Sequence, residues 1–284
     1  PYGKIIYSTG ISPYMFEKHP YKNSVIGTME DLDAAQLDEF KAFFDKYYGP
    51  NNATLVIAGD FEEEETKKWI KSYFASIPKG PEVERVDIKE EPITEEIVAT
   101  EYDDNIQIPV KAYVYRTPSM KDRDAYVLDM ISSILTDGKS SRMYKKMVDE
   151  DKEALQVLAF PRSQEDYGMY VMGALAMGDT PLEQLGESMD EEIKKLQTEL
   201  ISEKEYQKLQ NKFENRFVSS NSSVQGIAAS LATYHMLYGD VDLINDEIKI
   251  YRSITREDIK EVANKYLKKN QRLNLDYLPT PESK

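Results

Sequence analysis

Nitrogen and sulfur metal ligands are scarce in this sequence, which holds two histidines, His19 and His235, and no cysteine. A zinc site needs nitrogen or sulfur ligands at helical or hairpin spacing, and two histidines 216 residues apart (235 − 19) have no such spacing. No metal ligand and no catalytic residue is therefore assigned within the 284 residues. A Ser-His-Asp arrangement lacks its sequence setting too, because no Gly-x-Ser-x-Gly elbow presents a serine to either histidine. His19 lies in His19-Pro20-Tyr21, which reads as a structural turn with no carboxylate partner evident in the sequence. The acidic run Glu62 to Glu65 opens a helical pattern, where carboxylates favour the positive helix end, and reads as a solvated first turn.

Charge narrows the partners. Lys and Arg number 36 against 51 Asp and Glu, a net charge of −15 that repels a polyanion, so nucleic acid is not an expected partner. The acidic surplus has two readings, a solvated surface that keeps the protein soluble or a lining that favours cationic peptides. No run of about 18 apolar residues exists, and PYGKIIYSTG has neither the basic start nor the apolar stretch of a signal peptide. The expectation is a soluble protein, periplasmic or cytoplasmic, with no membrane partner.

The elements that must position any site are legible from periodicity. Leu37, Phe40, Phe44 and Tyr47 recur at helical spacing before Gly49 and Pro50, where a left-handed glycine cap and a proline end the helix. Leu55 to Ala58 form a short apolar run that predicts a buried strand. The next helix is predicted to bury Trp69, Ile70, Tyr73, Phe74 and Ile77. From Pro78 to Glu96, prolines and charges without a period mark a linker, with the boundary placed at residues 81–92. Beyond it come a strand in IQIPVKAYVYRT and a helix striped by Val127, Met130, Ile131, Ile134 and Leu135. ALQVLAF and GMYVMGALAM predict an antiparallel hairpin, and helices follow through Tyr238 with a break at SSNSS. The carboxyl end repeats the early pattern. Thr255 caps a helix with Asp258 three residues on, and Leu273, Leu275 and Tyr277 alternate as a strand. Placing Tyr48 on Tyr266 sets an offset of 218 (266 − 48), which also puts Leu55 on Leu273.

Four stretches in order carry a resemblance: HPY followed by IG, YYGPNNATLVIAGDF with YFASIPKG, DGKSSRMYKKMV, and YRSITREDIKEVANKYL. Together they resemble the insulinase, or pitrilysin, family of zinc metallopeptidases, which includes the mitochondrial processing peptidases. The resemblance implies an α+β fold of LuxS/MPP-like metallohydrolase domains, each an antiparallel-rich sheet packed with helices. Residues 1–80 would be the C-terminal part of a first peptidase-like domain, 81–92 a linker, and 93–284 a second, non-zinc domain.

The resemblance also implies where the chemistry lies. The family's inverted His-x-x-Glu-His motif and its downstream glutamate precede a segment like PYGKII, so this chain is expected to start just after the zinc site. Zinc is then the cofactor of the parent protein and not of this chain. A substrate-holding Arg and Tyr follow the family's Gly-x-Ser-Ser-Arg stretch, matched here by Gly138, Ser141 and Arg142, and their positions fall on Val148 and Leu155. That places peptides and a second peptidase half, in the same polypeptide or a separate subunit, among the partners. It leaves two functions open: part of a zinc endopeptidase half that is inactive by itself, or a non-catalytic homologue serving as a structural or partner subunit. Arg142 reads first as a bond to neighbouring backbone or carboxylates.

Overall fold

A computed structural model describes residues 2–7, 10–85 and 87–281. In chain order the elements are α1 (Gly3–Tyr7), α2 (Ser12–Met15), α3 (Met29–Ala34), α4 (Leu37–Tyr47), α5 (Glu63–Phe74), β1 (Ile97–Asp103), β2 (Val110–Thr117) and α6 (Arg123–Thr136). They continue with β3 (Ala154–Arg162), β4 (Gly168–Ala176), α7 (Leu182–Thr198), α8 (Glu203–Ser220), α9 (Val224–Thr233), α10 (Leu243–Ser253), α11 (Arg256–Tyr266) and β5 (Arg272–Pro279). Two compact units result, one of Pro1–Ile26, Lys89–Glu214 and Ile248–Lys284, the other of Gly27–Ile88 and Asn215–Glu247. The division falls inside α8 and α10.

The first unit is built on a five-stranded sheet ordered β1-β5-β2-β4-β3. Only the β1–β5 pair is parallel, with Ile97 opposite Leu273, and the other three pairs are antiparallel. This is the antiparallel-rich α+β arrangement. Alternation along each strand separates two faces. Ala112, Val114, Leu273, Leu275 and Tyr277 pack with Ile5, Ile11, Met15 and Phe16 from the N-terminal segment. Tyr113, Tyr115 and Arg272, one residue out of phase, lie on the opposite face, where α7 and α11 contact β2. The predicted hairpin is β3 and β4, registered with Ala159 opposite Met172 and a bulge at Leu155.

The second unit holds α3, α4, α5 and α9. Its helix starts are well made, with Thr28 and Asp31 forming a reciprocal cap on α3 and Ser223 accepting the Gly226 amide at α9. Three expectations fail here. Leu55 to Ala58 form no strand and join no sheet among the described residues. The predicted burial along α5 is not found, for Trp69, Tyr73, Phe74 and Ile77 are exposed and Ile70 is half-buried, and Phe40 and Phe44 of α4 are exposed too. Periodicity reports which face is apolar, not whether anything covers it. Gly49 has φ −75°, so it is not a left-handed cap. Its buried position instead admits close approach, since a Cβ there would lie 2.8 Å from the Gly80 nitrogen.

The internal repeat is real in backbone conformation, with its register shifted by one residue from the expected 218. α4 and α11 run over 37–47 and 256–266, and the following 3₁₀ turns over 50–52 and 269–271, an offset of 219 throughout. At that offset the reciprocal caps coincide, Gln36 with Glu39 and Thr255 with Asp258. So do two tethers: Asn51 Nδ2 donates to the Pro81 carbonyl at 3.2 Å, and Asn270 Nδ2 to the Thr94 carbonyl at 3.2 Å. Tyr47, not Tyr48, is the counterpart of Tyr266.

Candidate functional site

The Gly138–Arg142 turn follows α6 and leads into a π-helical segment, Tyr144–Glu150. Gly138 takes φ +79°, which a side chain disfavours, and this lets its carbonyl accept both the Ser141 amide at 3.0 Å and the Ser141 hydroxyl at 2.7 Å. The turn thereby aims Arg142 at α8. Arg142 Nε donates to Glu205 Oε1 at 2.9 Å and Nη2 to Oε2 at 3.1 Å, while the Ser202 amide and hydroxyl also donate to Glu205. Burial raises the Glu205 pKa, but the guanidinium and the Ser202 donors outweigh it and hold the carboxyl at about 2. Beside the pair a recess of about 440 Å³ is lined by Arg142, Lys145, Lys146 and Lys195 against Glu150, Glu192, Glu199 and Glu205. Four cations facing four carboxylates give it no preference for either sign of ion.

Val148 lies half-buried on the π-helical segment, and Leu155 is exposed at the β3 bulge. Between them the chain turns sharply. Lys152 has φ +53°, and the Glu153 amide donates back to the Met147 carbonyl at 3.0 Å. Glu153 itself is buried, with Oε2 accepting from Gln184 Nε2 at 2.9 Å and Oε1 lacking a protein partner. Neither the Val148 nor the Leu155 side chain can supply a charge or a hydrogen bond to a substrate. The sequence reading did not single out Glu153, and nothing in its local pattern marks it: its burial comes from the tertiary packing of the π-helix to strand turn.

His19 is buried, and the structure supplies the carboxylate partner that the sequence did not reveal. Its Nε2 lies 3.3 Å from Asp166 Oδ2, 147 residues along the chain, and its Nδ1 accepts the Tyr21 amide. Tyr21 and Tyr167 meet the ring edge-on. With Nδ1 accepting, Nε2 carries the hydrogen toward Asp166, so the ring is held as a packing and hydrogen-bonding group. His235 is exposed in the π-helical segment Tyr234–Tyr238. Among the described residues no group of three or more His, Cys, Asp or Glu side chains could hold a metal ion, so the residues present do not fit a zinc site. No helix among them is long and apolar enough to cross a membrane.

The sequence profile of the family described as peptidase M16 inactive domain matches residues 34–213. The chain belongs to that family. Among curated proteins it is 26% identical over 273 residues to the zinc protease PqqE of Helicobacter pylori, covering 95% of this chain and 61% of that protein. Among solved structures, a protease from Helicobacter pylori superposes with a TM-score of 0.84 at 25% identity, covering 93% of this chain and 64% of that one. A peptidase M16 inactive domain from Pseudomonas fluorescens superposes with a TM-score of 0.81 at 17% identity, covering 98% and 66%. The chain spans about three fifths of the length of the curated relatives it matches. The fold is that of M16 inactive domains, and residues 34–213 match the inactive kind of domain in a chain that is similar to proteins named as zinc proteases.

Proposed function

We propose that this chain is the C-terminal portion of a zinc-dependent metalloendopeptidase half, contributing a wall of the peptide-binding chamber and inactive by itself. The observation that carries the reading is the family match over residues 34–213, joined to likeness along 95% of the chain to a protein named as a zinc protease. Residues 1–80 are read as the end of a first peptidase-like domain, 81–92 as the linker and 93–284 as the second domain. Zinc would be held by the parent protein outside these residues. Peptides and a second peptidase half are the partners that follow. Apolar Val148 and Leu155 fit that reading and fit equally a second one, a non-catalytic homologue that caps or scaffolds an active partner.

Metal content and peptide cleavage, measured on this chain and on the protein as its gene encodes it, test both readings. The expected result is no tightly held zinc and no cleavage for the chain alone, against chelator-sensitive, zinc-restored cleavage for the encoded protein. Stoichiometric zinc surviving mild chelation in the chain alone would overturn the assignment. An encoded protein that holds no zinc moves the conclusion to the scaffold reading.

A further inference from the structure

Acidic residues outnumber basic ones in this chain by 15, yet residues 262–275 hold Lys265, Lys268, Lys269 and Arg272 and no Asp or Glu. Arg272 is committed inside the sheet, whereas the three lysines are exposed. Where β2 ends and β5 begins, a recess of about 190 Å³ lies among Pro92, Ile93, Arg116, Lys265, Tyr266 and Gln271, all of the first unit. Two of the six are cations and none is a carboxylate. Each cation has one acidic partner, Glu90 at 3.5 Å from Arg116 and Asp124 at 2.6 Å from Lys265, but both carboxylates are shared. Glu90 also accepts the backbone amides of Glu17, Lys18 and His19, at 3.1, 2.7 and 2.5 Å, and Asp124 accepts the Tyr266 hydroxyl at 3.0 Å. Four donors around one negative charge leave a surplus of positive potential at Arg116.

Donors are left over as well. Arg116 has five N–H groups, and the Met15 carbonyl, the Glu91 carbonyl and Glu90 take four of them. The Lys265 ammonium has three, of which Asp124 and Tyr266 engage at most two. The Gln271 side-chain amide donates to no other described residue. We infer that this recess binds the carboxylate of a small apolar acid, free or as the last residue of a peptide, between Arg116, Lys265 and Gln271. A carboxylate accepts through both oxygens and suits three converging donors. Pro92 and half-buried Ile93 give the recess an apolar wall, which an inorganic anion leaves unused and a short hydrocarbon tail covers. Size sets the other limit, since drug-sized ligands occupy pockets of roughly 300–1,000 Å³. The inference goes beyond the peptidase reading and does not rest on it.

Nuclear magnetic resonance on the 284-residue chain, following the Gln271 side-chain amide during titration with sodium isovalerate, tests it. The shift should saturate with a half-point of about 1–10 mM, and inorganic phosphate should need at least about tenfold more. Isovaleramide, and sodium chloride at matched ionic strength, should give no saturable shift. Lys265→Gln, a change at an exposed position, should weaken isovalerate binding about tenfold by removing one charge-assisted bond, and Gln271→Leu should weaken it by a smaller factor. Arg116 is left unchanged in these variants because it also ties Met15 to Glu91. N-acetylglycylleucine binding at least as tightly as isovalerate would name a peptide end as the source of the carboxylate, and weaker or absent binding would name a free acid. No saturable shift with isovalerate, equal shifts with its amide, phosphate binding as tightly, or unchanged affinity in both variants would each overturn the inference.

Discussion

Arg142 and Glu205, 63 residues apart, meet in a two-point ion pair that joins the Gly138 turn to the first turn of α8. Glu205 also closes a reciprocal cap with Ser202, whose hydroxyl accepts the Glu205 amide at 3.2 Å. One carboxylate therefore serves both a long-range tether and a helix start. Its pKa of about 2 lies below the ordinary value of 4.5, so the stabilisation is present above pH 4.5 and is lost as pH falls toward 2. The Glu205 side chain is 37% exposed and solvent screens the pair, which limits the contribution to about 1–2 kcal/mol. Glu205→Gln should cost that amount in denaturant unfolding at pH 7, with the gap narrowing as pH falls from 4.5 toward 2. A gap that stays constant with pH would remove the charge from the explanation.

Arg272 carries a second tether inside the sheet. Nε donates to Glu96 Oε1 at 2.7 Å, Nη2 to Asp190 Oδ2 at 3.1 Å and Nη1 to Asp190 Oδ1, while the guanidinium stacks 3.5 Å from the Tyr113 ring centroid. Truncation strands two carboxylates beside a buried void, so Arg272→Ala should cost about 3 kcal/mol. Arg272→Lys keeps the charge but loses the fork and the stack, and should recover less than half of it. Full recovery by lysine would show that charge alone matters at this position.

Much of this was written in the local sequence, and what was missed has a physical cause. Thr255 with Asp258 announced the α11 cap because both partners lie within one helical turn, and the β3–β4 hairpin showed because its strands are neighbours in the chain. His19 gave no sign of Asp166, and Asn270 none of Thr94, because those partners lie 147 and 176 residues away. Leu55 to Ala58 have strand composition without being a strand, since a ladder belongs to two segments and the described residues supply only one. The Val148 and Leu155 positions came from family likeness alone, and their setting of a π-helix, a left-handed Lys152 and a buried Glu153 could not be read from residue order.

Gly49 separates two reasons for a glycine. A left-handed cap would accept asparagine more readily than alanine, but an extended glycine pressed against Gly80 should suffer more from the larger residue. Gly49→Ala should destabilise the second unit by about 1–2 kcal/mol and Gly49→Asn by more, read as faster amide exchange over α4. Asparagine outperforming alanine would restore the cap.

Gly186 on α7 offers the sharpest packing test. Alanine is the better helix former by about 1 kcal/mol, so an unhindered Gly186→Ala would stabilise. Here the added Cβ would sit 2.6 Å from the Tyr113 hydroxyl, and Tyr113 is itself buried, pinned under the Arg272 stack. The clash should outweigh the propensity gain and leave Gly186→Ala less stable by about 1–2 kcal/mol. Removing the hydroxyl leaves the ring carbon that bore it 3.7 Å from the new Cβ, an ordinary contact. Tyr113→Phe combined with Gly186→Ala should then be at least as stable as Tyr113→Phe alone, a coupling of about 2 kcal/mol in a double-mutant cycle. Additive losses in that cycle would mean that α7 yields by moving away from the sheet, and that the Tyr113 hydroxyl does not set its approach.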